Sequence, residues 1–315
     1  MKTGKTKNGH KKRKLRHKRA LIVVLIAILG VSGSAVYWKL HSTNDEEKDT
    51  GFAVSASIED KEYEETAEAA AATAQMDDLE SELTETLSTY DGDWSVYVEN
   101  LSTGETVTVN DHMSISASLI KLFVAGKYES MVESGELEAS ETNETNLENM
   151  ISISDNDAWT ALEMAIGMGS YRTGYQSVTQ WARDNGYSST GRQILEDGTW
   201  DAENGNNYTS VSDVGKVLEA IYNGTYVSAD ASARILELME DQYWTEKIPA
   251  GVPDGVITAN KTGELDTVQN DSAIVYGDTC DYVLVVMSQD ITDTETAISQ
   301  IVSISSAVYD YMEEE

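Results

Sequence analysis

The chain has 315 residues, with 22 Lys+Arg against 55 Asp+Glu, one cysteine and four histidines. One cysteine cannot close an internal disulfide, and so few histidines cannot complete a Cys/His zinc cage, so neither a disulfide framework nor a metal site is expected. Ten of the basic residues fall within residues 1–19, leaving 12 basic against 55 acidic residues after Arg19; a body so acidic repels phosphate backbones and excludes nucleic acid as its partner.

Residues 1–19 read as a basic cytoplasmic tail. Behind them Ala20–Trp38 (ALIVVLIAILGVSGSAVYW) is uncharged, and at about 1.5 Å per helical residue it reaches across a hydrocarbon layer of about 30 Å. The basic flank in front and the acidic body behind orient it as a single-pass cell-membrane anchor, N-terminus in the cytoplasm and body outside. Ser32, Gly33, Ser34 and Ala35 also supply the small residues that a signal peptidase accepts, and a cleaved leader is the other reading; both export the body. Residues 39–75 are polar, acidic and Ala-rich and read as a disordered linker.

A globular domain is expected over 76–315. Met76–Tyr90 is polar and helix-prone, and strand signals follow at Asp93–Asn100 and Glu105–Val109, joined by a Ser-Thr-Gly turn. A mostly helical stretch runs from Ser118 to about Gly224. Strand signals return at Val256–Lys261, Ser272–Tyr276 and Tyr282–Ser288. In the last segment Ala297, Ile301, Ile304, Val308 and Tyr311 alternate steps of four and three, the stripe of a helix packed on a sheet. Strands at both ends with helices between them predict an α+β architecture around one composite sheet.

His112 is the one histidine of this domain, and no Gly-x-Ser-x-Gly elbow is present, so a Ser-His-Asp hydrolase is not expected. A serine enzyme can use lysine instead. Ser118-Leu119-Ile120-Lys121 opens an apolar helix, and a spacing of three puts Ser118 and Lys121 on one helical face. Burial among Leu119, Ile120, Leu122 and Phe123 disfavours an ammonium and lowers the lysine pKa, as a base for a hydroxyl nucleophile requires. The bland alternative is an N-capping serine beside a snorkelling lysine. Ser154-Asp155-Asn156 lies between two helices and reads equally as a helix cap. Lys261-Thr262-Gly263 falls at the end of a strand and reads equally as a turn; Lys2-Thr3-Gly4 shows that the triplet recurs by chance.

Order and spacing set the three motifs in one frame: a nucleophile helix, Ser-Asp-Asn 36 residues on, and Lys-Thr-Gly about 107 residues further. In this the chain resembles the penicillin-recognising serine hydrolases, and specifically the class A β-lactamase-like family. The resemblance runs from about Asp93 to the C-terminus and includes the Ser-Thr-Gly-Glu hairpin, ASLIK, and NDSAIVYG after Lys-Thr-Gly. It implies a β-lactamase/transpeptidase-like fold, an antiparallel sheet flanked by terminal helices with an inserted all-helical subdomain, and no cofactor. It implies Ser118 as the acylated nucleophile, Lys121 as its base, Ser154 as proton donor to the leaving nitrogen, and Asn156 as a substrate contact. Lys261, Thr262 and Gly263 then line the carboxylate side, and the N–H groups of Ser118 and Glu264 form the oxyanion hole.

The loop that carries a deacylating Glu followed by Leu-Asn in that family reads here Thr190–Ser210, TGRQILEDGTWDAENGNNYTS, without Glu-x-x-Leu-Asn. Glu196 stands nearest the expected distance after Ser154, with Asp197 beside it, and both also read as solvated acids. The expectation is a membrane-tethered extracytoplasmic serine hydrolase that opens β-lactams. The alternatives are a D,D-peptidase acting on peptidoglycan stem peptides, or a β-lactam- or peptidoglycan-binding domain without efficient turnover.

Overall fold

The structure is a computed structural model that describes residues 76–192 and 205–314. The basic tail, the expected membrane span, the linker, Glu196 and Asp197 lie outside these residues. Among the described residues no helix is long and apolar enough to cross a membrane.

Helix α1 spans 76–88, and its Met76, Leu79, Leu83 and Leu87, spaced by three and four, are all buried. Strands β1 (Asp93–Asn100), β2 (Thr106–Val109) and the short β3 (Ser114–Ile115) follow, then helices α2 (Ile120–Glu133), α3 (Glu141–Ser152), α4 (Asn156–Ile166) and α5 (Tyr171–Asp184). After β4 (Gly191–Arg192) and β5 (Asn207–Thr209) come α6 (Val211–Tyr222) and α7 (Ala229–Glu240). Strands β6 (Ile257–Leu265), β7 (Val268–Tyr276) and β8 (Asp281–Gln289) form a meander, and α8 (Thr294–Glu313) closes the chain. The main sheet is antiparallel in the order β2-β1-β8-β7-β6, so the two sequence-distant strand groups meet where β1 pairs with β8.

Side chains alternate across a strand, and this sheet uses the alternation to divide two cores. Along β8, Val283, Val285 and Met287 join the core shared with α2 to α7, while Tyr282, Leu284 and Val286 join the one shared with α1 and α8. With both faces covered, the strand reads as a near-continuous apolar run. Helix α2 is buried from Ile120 through Gly126, the position of a helix with no solvent face.

Two readings are corrected, and one helix is added. The inserted subdomain is not all helical: β4 and β5 pair with each other, and β5 pairs with β3 in a small second sheet. Strands of two or three residues have no periodicity to detect; this one is pinned by Thr190 Oγ1, 2.8 Å from Thr209 Oγ1 and donating to Asp213 at 2.9 Å. Lys261-Thr262-Gly263 is inside β6 rather than at its end, because pairing runs on to Leu265 opposite Val268; Gly263 and the polar residues around it weaken the local strand signal. Helix α7 was not anticipated, although Ser228 caps it and Ala231, Ile235 and Met239 repeat at steps of four.

Ile301 of α8 is fully buried against the sheet, so Ile301→Ala is expected to cost about 2–5 kcal/mol through lost burial and a residual cavity. Ser303→Ala, on the exposed side of the same helix, is expected to change stability by no more than about 0.5 kcal/mol. Urea unfolding of both variants checks the pair.

Candidate active site

Ser118 sits in a single 3-10 turn, Ala117–Leu119, that runs directly into α2. Ala117 takes φ 44° in this turn, a left-handed conformation costly for a residue with a Cβ. The segment is held from outside: Asn270 Nδ2 of β7 donates to the carbonyls of Ile115 (3.0 Å) and Ser116 (3.2 Å). One turn on, Lys121 is 1% exposed, because the helix that carries it is buried on every side.

Ser154 lies between α3 and α4 and is also left-handed, at φ 58°. Asp155 is the residue that caps α4, accepting from Ala158 N at 2.7 Å. The capping reading of Ser-Asp-Asn thus applies to Asp155 alone, and Ser154 and Asn156 turn toward the lysines. Gln242 fixes this loop relative to the sheet by donating from Nε2 to the carbonyls of Ile151 and Asn260.

Lys121 Nζ donates to Ser154 O at 2.7 Å, to Asn156 Oδ1 at 2.8 Å and to Ser154 Oγ at 3.2 Å. Lys261 Nζ, from the fully buried centre of β6, donates to the same Ser154 Oγ at 2.9 Å and to Thr262 O at 2.9 Å. One hydroxyl therefore bridges two buried amines. Burial lowers Lys121 from 10.5 to about 8, against a smaller opposing pull from Asp155. Burial, with Lys121 as the leading like charge, lowers Lys261 to about 7. Beneath Lys261, burial raises Asp271 to about 6 although Lys247 opposes the rise.

Gly263 is required by close approach. A methyl group there would lie 2.8 Å from Ser116 O and 3.1 Å from Ser118 N, so β6 passes against the amide of Ser118 only because this residue has no side chain. Thr262 is buried; Glu264 is largely exposed and pairs with Lys247 Nζ at 2.9 Å. Two cavities meet at Ser118, one of about 330 Å³ and one of about 200 Å³, and both are lined by Ser118, Asn156 and Glu264. The structure thus brings Ser118, Lys121, Ser154, Asn156 and Lys261 to Glu264 together; Glu196 is outside the described residues. The sequence reading missed Lys247, fully buried beside Glu264, as well as Asn270 and Trp244. Lysine scarcity was the available signal for Lys247, since residues 76–315 contain only five lysines.

Residues 78–146 and 139–312 match the sequence profile of the β-lactamase enzyme family. The chain belongs to that family. Among solved structures it is similar in fold to PBP-A, at 22% identity and a TM-score of 0.67, covering 76% of this chain and 97% of that one. A β-lactamase from Burkholderia vietnamiensis is similar at 19% identity and TM-score 0.64, covering 75% of this chain and 96% of that one. The TLA-1 extended-spectrum β-lactamase follows at 19% identity and TM-score 0.66, over 75% and 99%. A variant of PBP-A, 21% identical over 77% of this chain and 97% of that one, with TM-score 0.65, is described as an acyl-enzyme complex with penicillin G. No curated protein matches the chain.

A lysine whose pKa is lowered on folding binds fewer protons folded than unfolded between about 8 and 10.5, so its contribution to stability rises with pH across that window. Relative to Lys121→Met, the parent protein is expected to gain on the order of 2 kcal/mol between pH 8 and pH 10. Urea midpoints of the two proteins at several pH values read this directly; parallel curves would show that Lys121 keeps its ordinary pKa.

Proposed function

We propose that this member of the β-lactamase family is a serine hydrolase that opens β-lactams through an ester on Ser118. The observation that carries the reading is the shared hydroxyl: Ser154 Oγ accepts from both Lys121 and Lys261 beside Ser118. Two amines with lowered pKa values around one hydroxyl hold fewer than two charges near neutral pH, and a substrate carboxylate at Lys261 and Thr262 draws the remaining proton to Lys261. Lys121 is then the neutral amine. Its two N–H bonds stay on Ser154 O and Asn156 Oδ1, which can only accept, and its lone pair is available for the Ser118 proton.

Ser118 Oγ attacks the lactam carbonyl as Lys121 takes that proton, and the oxyanion forms against the N–H groups of Ser118 and Glu264. Collapse breaks the carbon–nitrogen bond, and the proton held by Lys121 reaches the leaving nitrogen through Ser154 Oγ. Water then cleaves the ester and regenerates Ser118, with Glu196 as the carboxylate assigned to activate it. The PBP-A variant solved with penicillin G supports the acylation half. A D,D-peptidase is the second reading, favoured by a loop that lacks Glu-x-x-Leu-Asn; release of D-Ala from a stem peptide at a rate above that of β-lactam turnover would select it.

Intact mass of the purified protein mixed with benzylpenicillin is the test. One adduct is expected, absent in Ser118→Ala and formed roughly 10²–10⁴-fold more slowly in Lys121→Met, as for loss of a general base. An adduct retained by Ser118→Ala rejects the mechanism. Glu196→Gln is expected to prolong the adduct without slowing its formation.

We further propose that Ala20–Trp38 anchors the enzyme outside the cytoplasmic face of the membrane. The full-length chain is expected to resist alkaline extraction from membranes and to be digested by protease added from outside. Recovery of a shortened chain in the medium would identify a cleaved leader instead.

A further inference from the structure

The charges around Ser118 differ in how open they are. The larger cavity has Lys121 and Arg192 in its wall, and both cations are enclosed. Lys121 is bonded to Ser154 and Asn156. Arg192 is buried, with Cζ 4.7 Å from the ring centre of Tyr175, 5.5 Å from Tyr171 and 5.9 Å from Trp159. Among the described residues that line the smaller cavity, one has a charged side chain, and it is the acid Glu264.

The fold holds that acid in place and leaves it open. The Glu264 side chain is 46% exposed, and its Oε1 accepts at 2.9 Å from Nζ of Lys247, a lysine with no exposed side chain. Lys247 also donates to Asn270 O at 3.2 Å, so the buried lysine ties the carboxylate to β7. Among the described residues Lys247 is the one partner of this carboxylate, and only Oε1 is engaged. Glu264 follows Thr262 by two residues on β6, so the two side chains leave the same face of the strand.

Trp244 stands in the same wall. It is 41% exposed, unusual for an indole, and it is fixed: Nε1 donates to Ile153 O at 3.1 Å, the backbone N–H donates to Gln242 Oε1 at 3.3 Å, and the carbonyl accepts from Asn260 Nδ2 at 3.0 Å. Tyr243 packs edge-on against it with ring centres 5.0 Å apart. An indole and a carboxylate in one cavity wall are the pair that recognises an organic cation, one through its ring electrons and the other by its charge. The surplus of acid over base in the domain draws the same kind of group.

We propose that Glu264 and Trp244 form a cation subsite beside Ser118, and that the substrates are zwitterions with an organic cation on the leaving-group side of the bond that Ser118 attacks. This rests on the acylation reading above, in which Ser154, in the same wall, delivers the proton to the leaving nitrogen and Thr262 takes the substrate carboxylate. An acid next to Thr262 repels a substrate that brings a carboxylate alone, and a cation carried by the same molecule offsets that repulsion. Glu264 thus has two separate parts in the site: its backbone N–H faces the oxyanion, and its side chain selects the substituent.

The test compares two cephalosporins that share one acyl side chain and differ on the six-membered ring, where one has an uncharged acetoxymethyl group and the other an N-methylpyrrolidiniomethyl group. Acylation is read by intact mass as loss of the unmodified protein. The ratio of the two rates, cationic over neutral, is internal to each sample and does not depend on how much protein is folded; comparing it between variants cancels the difference in intrinsic reactivity. Glu264→Gln keeps the backbone N–H and an acceptor for Lys247, and is expected to lower the ratio roughly three-fold or more. Trp244→Leu is expected to lower it roughly two- to five-fold. A ratio unchanged in either variant overturns the two-residue subsite. If neither compound acylates Ser118, the acylation reading fails separately, and calorimetric binding of the same two compounds to Ser118→Ala decides the subsite. Preference for the cationic compound, lost on adding Glu264→Gln, supports it; equal binding rejects it.

Discussion

Two ammonium groups in one dry site each lower the other's hold on its proton, and the candidate active site is organised around that restriction. Lys121 is 1% exposed and Lys261 0%; the Coulomb repulsion between them adds to the desolvation cost that each already bears. The Ser154 hydroxyl between them accepts from both amines and, unlike the neighbouring backbone carbonyls, also carries a proton of its own.

The two amines come from opposite sides of the fold. Lys121 is delivered by a helix buried in the inserted subdomain, Lys261 by the edge strand of the main sheet, and Ser154 by the loop that lies between them. Such a meeting needs stiff connections, and they are visible: Asn270 holds the approach to Ser118, Gln242 joins the Ser154 loop to β6, and Gly263 lets the strand touch the Ser118 turn. The left-handed backbones of Ala117 and Ser154 are the cost of aiming these groups, on the order of 1–3 kcal/mol each. The double-sided packing of the sheet offsets that cost elsewhere.

Much of this was legible in the sequence because it depends on spacing within single elements. Ser118 and Lys121 lie in one turn, Ser154 and Asn156 in one loop, and the stripe of α8 in one helix. What was hidden depends on pairings between distant segments. Strands β4 and β5 are too short to show a pattern, and Lys-Thr-Gly reads as a strand end because Gly263, the residue that permits close approach, also weakens strand propensity. Lys247 was hidden for a different reason: its partner Glu264 is near in space but 17 residues away, and neither lies in a periodic run. Arg192 and Trp159, on a two-residue strand and a helix respectively, become neighbours only once both are folded.

Residues 76–315 carry nine Lys/Arg and 45 Asp/Glu, yet Lys121 and Lys261, the cations of the candidate site, are buried. Long-range field and local site therefore oppose each other. An anion approaching from solution first meets repulsion, which added salt screens over about 10 Å at 0.1 M, while the buried cations are screened far less. Encounter of an anion with this site is therefore expected to speed up with rising ionic strength, the reverse of a protein that steers its ligand by surface charge.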